Sequence, residues 1–98
     1  MQARVISFRV TADWLEELDG AYQNTILPRL EQQPGFASQL VFFDAGKSRA
    51  LEITLFDSEE DRDESEKDGG LLDQELDALA EAVGASPDIE NYELRFIS

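Results

Sequence analysis

The sequence contains no histidine and no cysteine among its 98 residues. Zinc sites built on imidazole or thiolate ligands are therefore excluded, as are His- or Cys-ligated haem, disulfides and cysteine nucleophiles. A Ser-His-Asp triad is excluded for the same reason. Any catalytic chemistry must use carboxylate, guanidinium, amine, aromatic, hydroxyl or amide side chains, or must come from the substrate itself.

Basic residues are scarce as well, because 8 Lys and Arg stand against 22 Asp and Glu, giving a formal net charge of −14. Neutralising the phosphates of DNA or RNA requires a surplus of basic side chains, so we expect no nucleic-acid partner. Anionic membrane surfaces are disfavoured on the same ground. No apolar run approaches the ~20 residues that span a membrane, and the first four residues lack the apolar core of a signal peptide. We therefore expect no membrane partner and a cytoplasmic location.

Hydrophobic residues are present in sufficient number to form a core. They make up 42% of the chain and include six Phe, two Tyr and one Trp. Disordered chains combine high net charge with low hydrophobicity, and this sequence has only the first of these properties. We expect one folded domain over residues 1–98.

The hydrophobic periodicity predicts six elements in the order β-α-β-β-α-β. The strands are predicted at residues 4–10, 36–44, 49–56 and 88–97. The helices are predicted at residues 13–33 and 58–83, the second interrupted at Gly69-Gly70 and ended by Gly84. This order is typical of an α+β ferredoxin-like fold with an antiparallel four-stranded sheet.

Local signals define the first helix. Asp13 and Glu16, three residues apart, form a capping-box-like pair that predicts its start. Pro34-Gly35 predicts its end. Pro28 lies inside the apolar stripe of this helix, where it lacks the backbone N–H that an α-helix needs, so we expect the helix to kink there.

The predicted strands are apolar on both faces. The second strand carries Leu40 and Phe42 on one face, and Val41 and Phe43 on the other. Helices cover only one face of the sheet in this fold, so the other face would expose an apolar patch. We predict a homodimer that packs sheet to sheet. The alternative is a strand buried on both sides at a well-covered sheet centre.

Two segments resemble the antibiotic-biosynthesis-monooxygenase family. The sequence Leu27-Pro-Arg-Leu-Glu-Gln-Gln-Pro-Gly-Phe36 is similar to the end of that family's first helix and its Pro-Gly-Phe turn. The sequence Leu51-Glu-Ile-Thr-Leu-Phe-Asp-Ser-Glu-Glu-Asp61 is similar to its third strand and the exit into the second helix. The resemblance covers nearly the whole chain in element order. It implies a dimeric α+β barrel, which agrees with the dimer predicted from the strands.

The resemblance also narrows the activities to be expected. The family's haem-degrading members use a His in the second helix, a Trp at the end of the third strand and an Asn in the first strand. This chain has no His, carries Phe56 at the Trp position and has no Asn in residues 3–10, so that activity is excluded. Other members are oxygenases without a cofactor, in which an electron-rich phenol or quinone precursor itself reduces O₂. The resemblance thus implies a small aromatic substrate, no organic cofactor and no metal.

Such an oxygenase needs a slot for a flat ring and groups that move a proton and stabilise charge. The family position of Phe56 faces the helices, and strand alternation then places Glu52 and Thr54 on the same side. The catalytic candidates are Arg95, to hold an anionic oxygen, and Tyr22 or Glu52, to carry a proton. The substrate-binding candidates are Trp14, Asn24, Phe42, Thr54, Phe56 and Tyr92.

Structural explanations remain open for these residues. The aromatic candidates on the helix and the third strand are also explained by core packing, and Arg95 by an ion pair with Glu52 or Glu93. An alternative function is a non-catalytic ligand-binding or stress-associated dimer, and a further one is a lyase or isomerase. A cavity of a few hundred Å³ between sheet and helices, with Arg95 or Tyr22 pointing into it, would favour the oxygenase, whereas a side-chain-filled core without a cavity would overturn it.

The acidic segment at residues 57–68 holds eight carboxylates and two bases. Ser58 followed by Asp61 predicts a helix cap. The segment begins like a calcium-binding EF-hand loop but then has Glu66 where Gly is needed and Leu72 where Glu is needed. Two interpretations stay open: a solvated helix, or a flap over the pocket hinged at Gly69-Gly70.

Overall fold

A computed structural model describes residues 1–98. Its strands are β1 (Gln2–Arg9), β2 (Phe36–Asp44), β3 (Arg49–Phe56) and β4 (Asp88–Glu93). Its helical elements are a 3₁₀ turn (Ala12–Trp14), α1 (Leu15–Ala21), a π-helical segment (Tyr22–Ile26), α2 (Leu27–Leu30), α3 (Glu59–Ser65) and α4 (Leu71–Val83). The predicted α+β ferredoxin-like fold is confirmed. None of these helices has the length and apolar character needed to cross a membrane.

The sheet has the strand order β2-β3-β1-β4, and every neighbouring pair is antiparallel. Glu52 of β3 lies opposite Ile6 of β1 and Val41 of β2, which fixes the register across the centre of the sheet. Alternation along the central strands then turns Ile6, Phe8 and Phe56 toward the helices, where they are buried. The helices cover this face and form the core with it.

The first helical segment changes geometry immediately before Pro28. Pro28 stands at the start of α2, and the π-helical segment ends two residues earlier. A proline cannot donate the i→i−4 hydrogen bond of an α-helix, and the wider π turn accommodates that loss. The helix is therefore irregular next to Pro28, while the kink predicted there stays a prediction.

Several predicted boundaries are wrong. β1 spans Gln2–Arg9 instead of residues 4–10, and the first helical stretch ends at Leu30 instead of residue 33. Asp13 does not cap the first helix, since it lies inside the 3₁₀ turn and Thr11 precedes that turn without a side-chain cap. The last strand ends at Glu93 instead of residue 97. The pairing of this strand with β1 ends at the hydrogen bond that the Leu94 N–H donates to the Met1 carbonyl at 2.9 Å.

The acidic segment forms α3 and is attached to the sheet at two points. Arg62 donates to Gln2 at 2.9 Å, and the hydroxyl of Ser65 accepts a 2.6 Å hydrogen bond from Arg4. Ser58 caps the helix as predicted, accepting from the Asp61 N–H at 3.1 Å. Most of its carboxylates face solvent, which supports the solvated-helix interpretation. Movement of the segment as a flap stays a prediction.

The sheet face opposite the helices is uncovered. Its register places Phe42 beside Leu51 and Leu40 beside Ile53, and these pairs point away from the helical layer. Phe42 and Tyr92 are each 50% exposed. We call this surface, made of Leu40, Phe42, Leu51, Ile53 and Tyr92, the open sheet face.

We expect Gly35→Ala to destabilise the protein more than Gly84→Ala. Both glycines have positive φ, 78° and 66°, so alanine at either position costs about 1–2 kcal/mol in backbone strain. A Cβ on Gly84 would meet open space, whereas one on Gly35 would collide with the side chain of Asp61. Urea unfolding of the two variants measures the difference. Equal losses of unfolding free energy in the two variants would show that the Asp61 side chain moves out of the way of the new Cβ without a cost in stability.

Candidate functional site

Polar and charged side chains lie in the interior between the sheet and the helices. All but Gln39 are buried, and Arg4, Glu52, Thr54 and Ser65 have no exposed surface. We call this group the interior polar cluster: Arg4, Tyr22, Gln39, Glu52, Thr54, Ser65 and Glu75. Buried charges require partners, so each member must be accounted for by the contacts it makes.

Glu52 lies at the centre of the cluster and accepts two hydrogen bonds. The Tyr22 hydroxyl donates to its Oε1 at 2.6 Å, and the Thr54 hydroxyl donates to its Oε2 at 3.2 Å. Thr54 is two residues along the same strand and therefore shares its face. Tyr22 opens the π-helical segment that lies over this strand. The result is a phenol held against a carboxyl group out of contact with water.

The Tyr22 phenol is held in its protonated form. Burial raises the pKa of Tyr22 above its ordinary value, and the charge of Glu52 and the hydrogen bond to it raise the pKa further. Deprotonation would place two negative charges side by side in a medium of low dielectric constant. Tyr22 therefore donates in this pair, and the group able to accept a proton is Glu52.

Glu75 of α4 is the second buried carboxyl group. The Gln39 amide donates to its Oε1 at 3.5 Å and to Thr54 at 3.3 Å, so it bridges the two sides of the cluster. The pKa of Glu75 is well above its usual range, because burial, a hydrogen bond with Glu52 and the charge of Glu52 all favour the neutral acid. Arg4 and Gln39 oppose this shift.

Arg4 is the cation of the cluster. It donates to Ser65 at 2.6 Å, lies 3.8 Å from Glu75 and 3.7 Å from Glu66, and its guanidinium carbon is 5.0 Å from the centre of the Phe56 ring. Burial lowers the pKa of Arg4, and the nearby carboxylates counteract that effect. Its Nε and Nη2 atoms have no hydrogen-bond partner. Guanidinium stays protonated in proteins, so Arg4 brings one fixed positive charge.

Four of the residues predicted from the sequence meet in this interior. Tyr22, Glu52, Thr54 and Phe56 are all buried, and the helix-facing alternation predicted for the last three is confirmed. Their placement agrees with the roles proposed for them, while their part in any reaction stays a prediction.

Arg95 lies outside the site. Its side chain is 82% exposed, beyond the end of β4, and its guanidinium is 3.4 Å from Glu93. The structure thus supports the ion-pair explanation with Glu93 and corrects the expectation that Arg95 reaches an interior ligand. The physical reason is the early end of β4, which leaves Arg95 on a segment without strand pairing.

Four other candidates also lie outside the interior. Phe42 and Tyr92 belong to the open sheet face, because their registers opposite Leu51 and Ala3 turn them from the helices. Trp14 is 49% exposed in the 3₁₀ turn. Asn24 is exposed on the outer side of the π-helical segment, in a groove against α4. Their predicted contact with an interior substrate is corrected by these positions.

The interior has no large cavity. A crevice with an empty volume of about 150 Å³ lies between the first helical segment and α4, next to Glu75, with no room for a water molecule. The larger grooves lie on the outer helical surface and on the open sheet face. The expected pocket of a few hundred Å³ between sheet and helices is therefore absent, which counts against the oxygenase prediction. A substrate could bind in this interior only if the interior opened.

Two central members of the cluster, Arg4 and Glu75, were missed from the sequence. Arg4 has the same strand parity as Ile6 and Phe8, which marked it as facing the helices. Glu75 lies four residues after Leu71 and four before Leu79, on the buried stripe of α4. A charged residue at an apolar position was the signal in both cases.

The architecture matches solved structures of oxygenases. A protein from Deinococcus radiodurans, provisionally assigned as an antibiotic biosynthesis monooxygenase, superimposes with a TM-score of 0.71 at 18% identity over 100% of this chain and 96% of that one. The cofactor-independent oxygenase SnoaB from Streptomyces nogalater gives 0.68 at 14% identity over 98% and 94%.

The ActVA-Orf6 monooxygenase of Streptomyces coelicolor, crystallised with nanaomycin D, gives a TM-score of 0.77 at 16% identity over 99% of this chain and 89% of that one. This chain has their fold. The resemblance noted in the sequence is confirmed at that level. No family model matches the sequence, and comparison with curated proteins finds no match.

We expect Tyr22→Phe to lower the free energy of unfolding at pH 7 by about 1.5–3 kcal/mol, because the Glu52 carboxyl loses its shortest hydrogen bond. The pKa of folded Tyr22 is raised, so wild-type stability should fall as the pH rises above about 10, the value for unfolded tyrosine. The Tyr22→Phe variant should lack this loss of stability at alkaline pH. Urea unfolding of wild type and variant between pH 7 and 11 tests both points. The same loss of stability with rising pH in wild type and variant would contradict the assignment.

Proposed function

We propose that the protein is a cofactor-independent monooxygenase acting on a small aromatic substrate of the phenol or quinone type. The observation that carries the proposal is the contact between the Tyr22 phenol and the buried Glu52 carboxyl, 2.6 Å apart. The interior thus already accommodates a phenol hydroxyl against a proton acceptor, in a fold that SnoaB and the ActVA-Orf6 monooxygenase share.

The proposed reaction needs only a few groups from the protein. A phenol or its keto form loses a proton to Glu52, and the resulting anion reduces O₂ without help from a metal or an organic cofactor. General-base assistance of this kind contributes about 10²–10⁴-fold to a rate. Phe56 supplies an apolar ring surface, and Arg4, stacked over that ring, offers positive charge near a developing anion.

Substrate binding requires the interior to open. The crevice next to Glu75 is narrower than an aromatic ring, and Thr25, Arg29 and Leu71 line it. A phenol entering there would take over the place of the Tyr22 hydroxyl at Glu52. Closure after binding would exclude water from the reaction.

A second candidate function is a dimeric barrel that binds a ligand without chemistry, as in a stress-associated protein. The observation in its favour is the filled interior, since most ligand sites are largely formed before binding. In that case the interior polar cluster is structural, and the ligand occupies one of the outer grooves.

Oxygen consumption separates the two functions. With a panel of anthrone- and hydroquinone-type phenols, we expect the wild type to consume O₂ and Glu52→Gln to lower kcat by about 100-fold or more, because the general base is lost. The control is Glu93→Gln, an exposed carboxyl on β4. Arg95→Ala tests the role that the sequence suggested for Arg95. Ligand binding without O₂ consumption in the wild type would favour the non-catalytic function.

We also propose that two copies pair through the open sheet face to form the dimeric α+β barrel. Exposed apolar side chains are continuous from Leu40 and Phe42 on β2 to Leu51 on β3. An apolar patch of a few hundred Å² on a chain this small is typical of an interaction surface.

We expect Leu51→Glu to convert the dimer to a monomer at micromolar concentration, because it places a carboxylate at the centre of the apolar interface. Light scattering coupled to gel filtration gives the mass. Glu81→Lys, an exposed change on the outer surface of α4, should leave the mass unchanged. A monomeric wild type would overturn the proposed assembly.

A further inference from the structure

The two buried carboxyl groups of the interior polar cluster belong to one hydrogen-bonded unit. Glu52 on β3 is fully buried, and Glu75 on α4 is 2% exposed. Gln39 joins them indirectly, through Glu75 on one side and Thr54 on the other. The charge of Glu52 also acts on Glu75 within this unit. Two ionised carboxylates can only accept hydrogen bonds, so neither can donate to the other unless one of them carries a proton.

The contacts identify which carboxyl group carries that proton. Both oxygens of Glu52 already accept hydrogen bonds, from Tyr22 and from Thr54. Only one oxygen of Glu75 accepts, from Gln39, and its Oε2 atom has no donor. That oxygen is 3.8 Å from the nearest guanidinium nitrogen of Arg4, beyond hydrogen-bond distance. Glu75 is therefore the acid and Glu52 the acceptor.

Charge balance leads to the same assignment. The groups that face Glu75 are Arg4 from β1, Gln39 from β2, Glu52 from β3 and Tyr22 from the π-helical segment. Arg4 is the one buried cation among them, and it also lies 3.7 Å from the partly exposed Glu66. Arg29 of α2 lines the crevice beside Glu75 as well, but it is exposed to solvent. Two ionised carboxylates would leave uncompensated negative charge in the interior, which is strongly destabilising. One proton on the pair restores neutrality.

We propose that Glu52 and Glu75 share a single proton and act as an acid–base pair, with Glu75 as the proton donor and Glu52 as the acceptor. The catalytic part of this inference rests on the proposed function, whereas the shared proton does not. The pair gives one site the means to accept a proton and to donate one within the same reaction.

An anthrone-type substrate shows how such a pair would be used. Glu52 removes one proton from the ring CH₂ group, and the anion reduces O₂ as a C–O bond forms, giving a peroxide anion. Glu52 returns its proton to this anion, giving a hydroperoxide. Glu52 then removes the remaining C–H proton while the O–O bond breaks.

The departing hydroxide takes the proton of Glu75 and leaves as water. The ring carbon becomes a carbonyl, so one oxygen atom of O₂ enters the product and the other enters water. The proton left on Glu52 then passes back to Glu75 within the interior polar cluster. The substrate supplies all the electrons, and the site is restored without a further reagent.

The shared proton is tested by the pH dependence of unfolding in wild type, Glu75→Gln and the control Glu81→Gln, an exposed change on the same helix. A carboxyl group protonated in the folded state and ionised in the unfolded state makes the wild type lose stability as the pH rises above about 4.3, the unfolded value for Glu. We expect Glu75→Gln to lack this loss, so its stability relative to the wild type should rise between pH 4 and pH 7. Unfolding at pH 7 should release one proton more from wild type than from Glu75→Gln.

The opposite result would overturn the inference. If Glu75 is ionised and pairs with Arg4, Glu75→Gln leaves a buried cation unpaired and loses stability relative to wild type as the pH rises from 4 to 7. Infrared spectroscopy of the wild type gives the same answer should the variant fail to fold. A carboxylic-acid C=O band at pH 7 supports the pair, and its absence contradicts it.

The catalytic use is tested with the phenol panel. Glu75→Gln should still consume O₂ but release hydroperoxide in place of the carbonyl product, whereas Glu52→Gln should consume O₂ more slowly by about 100-fold or more. Carbonyl formation at the wild-type rate by Glu75→Gln would overturn the donor role. A wild type that shows the shared proton but consumes no O₂ would overturn the proposed function and leave the proton assignment intact.

Discussion

The burial of charge beneath the helices is the constraint on which the rest of this structure depends. Arg4, Glu52 and Glu75 come from β1, β3 and α4 and are nearly inaccessible to water. Removing such groups from water costs several kcal/mol each unless they are paired and hydrogen-bonded. The register of the sheet, the cap at Ser58 and the position of Tyr22 all bring partners to these groups. The interior is therefore held together by complementary polar contacts as well as by apolar packing.

The two sides of the sheet illustrate different uses of the same strands. Toward the helices, β3 presents carboxyl, hydroxyl and aromatic groups whose positions are fixed by hydrogen bonds. On the open sheet face it presents Leu51 and Ile53, which need only an apolar partner. Strand alternation keeps the polar side chains on one face of the sheet and the apolar side chains on the other. A substitution on one face can therefore leave the other face unchanged.

Much of the fold could be predicted from the sequence, because strand alternation and turn residues are local signals. The limits of β2 and β3 were predicted correctly, since the hairpin between them defines both. The end of β4 was predicted incorrectly, because it depends on pairing with β1, which is distant in the sequence. The site was only partly predictable for the same reason. Glu52 and Thr54 follow from alternation, whereas the contact of Arg4 with Ser65 joins residues 61 positions apart.

The π-helical segment has a consequence for how this chain can vary. Leu18, Tyr22, Ile26 and Leu30 recur every four residues and are all buried, although an α-helix repeats every 3.6 residues. Over three such steps an unbroken α-helix would rotate the last side chain well away from the first. The wider turn between Tyr22 and Ile26 absorbs that rotation. Loss of a single residue here would leave the helix intact and still turn the phenol of Tyr22 away from Glu52, so the length of this segment is as much a part of the site as its side chains.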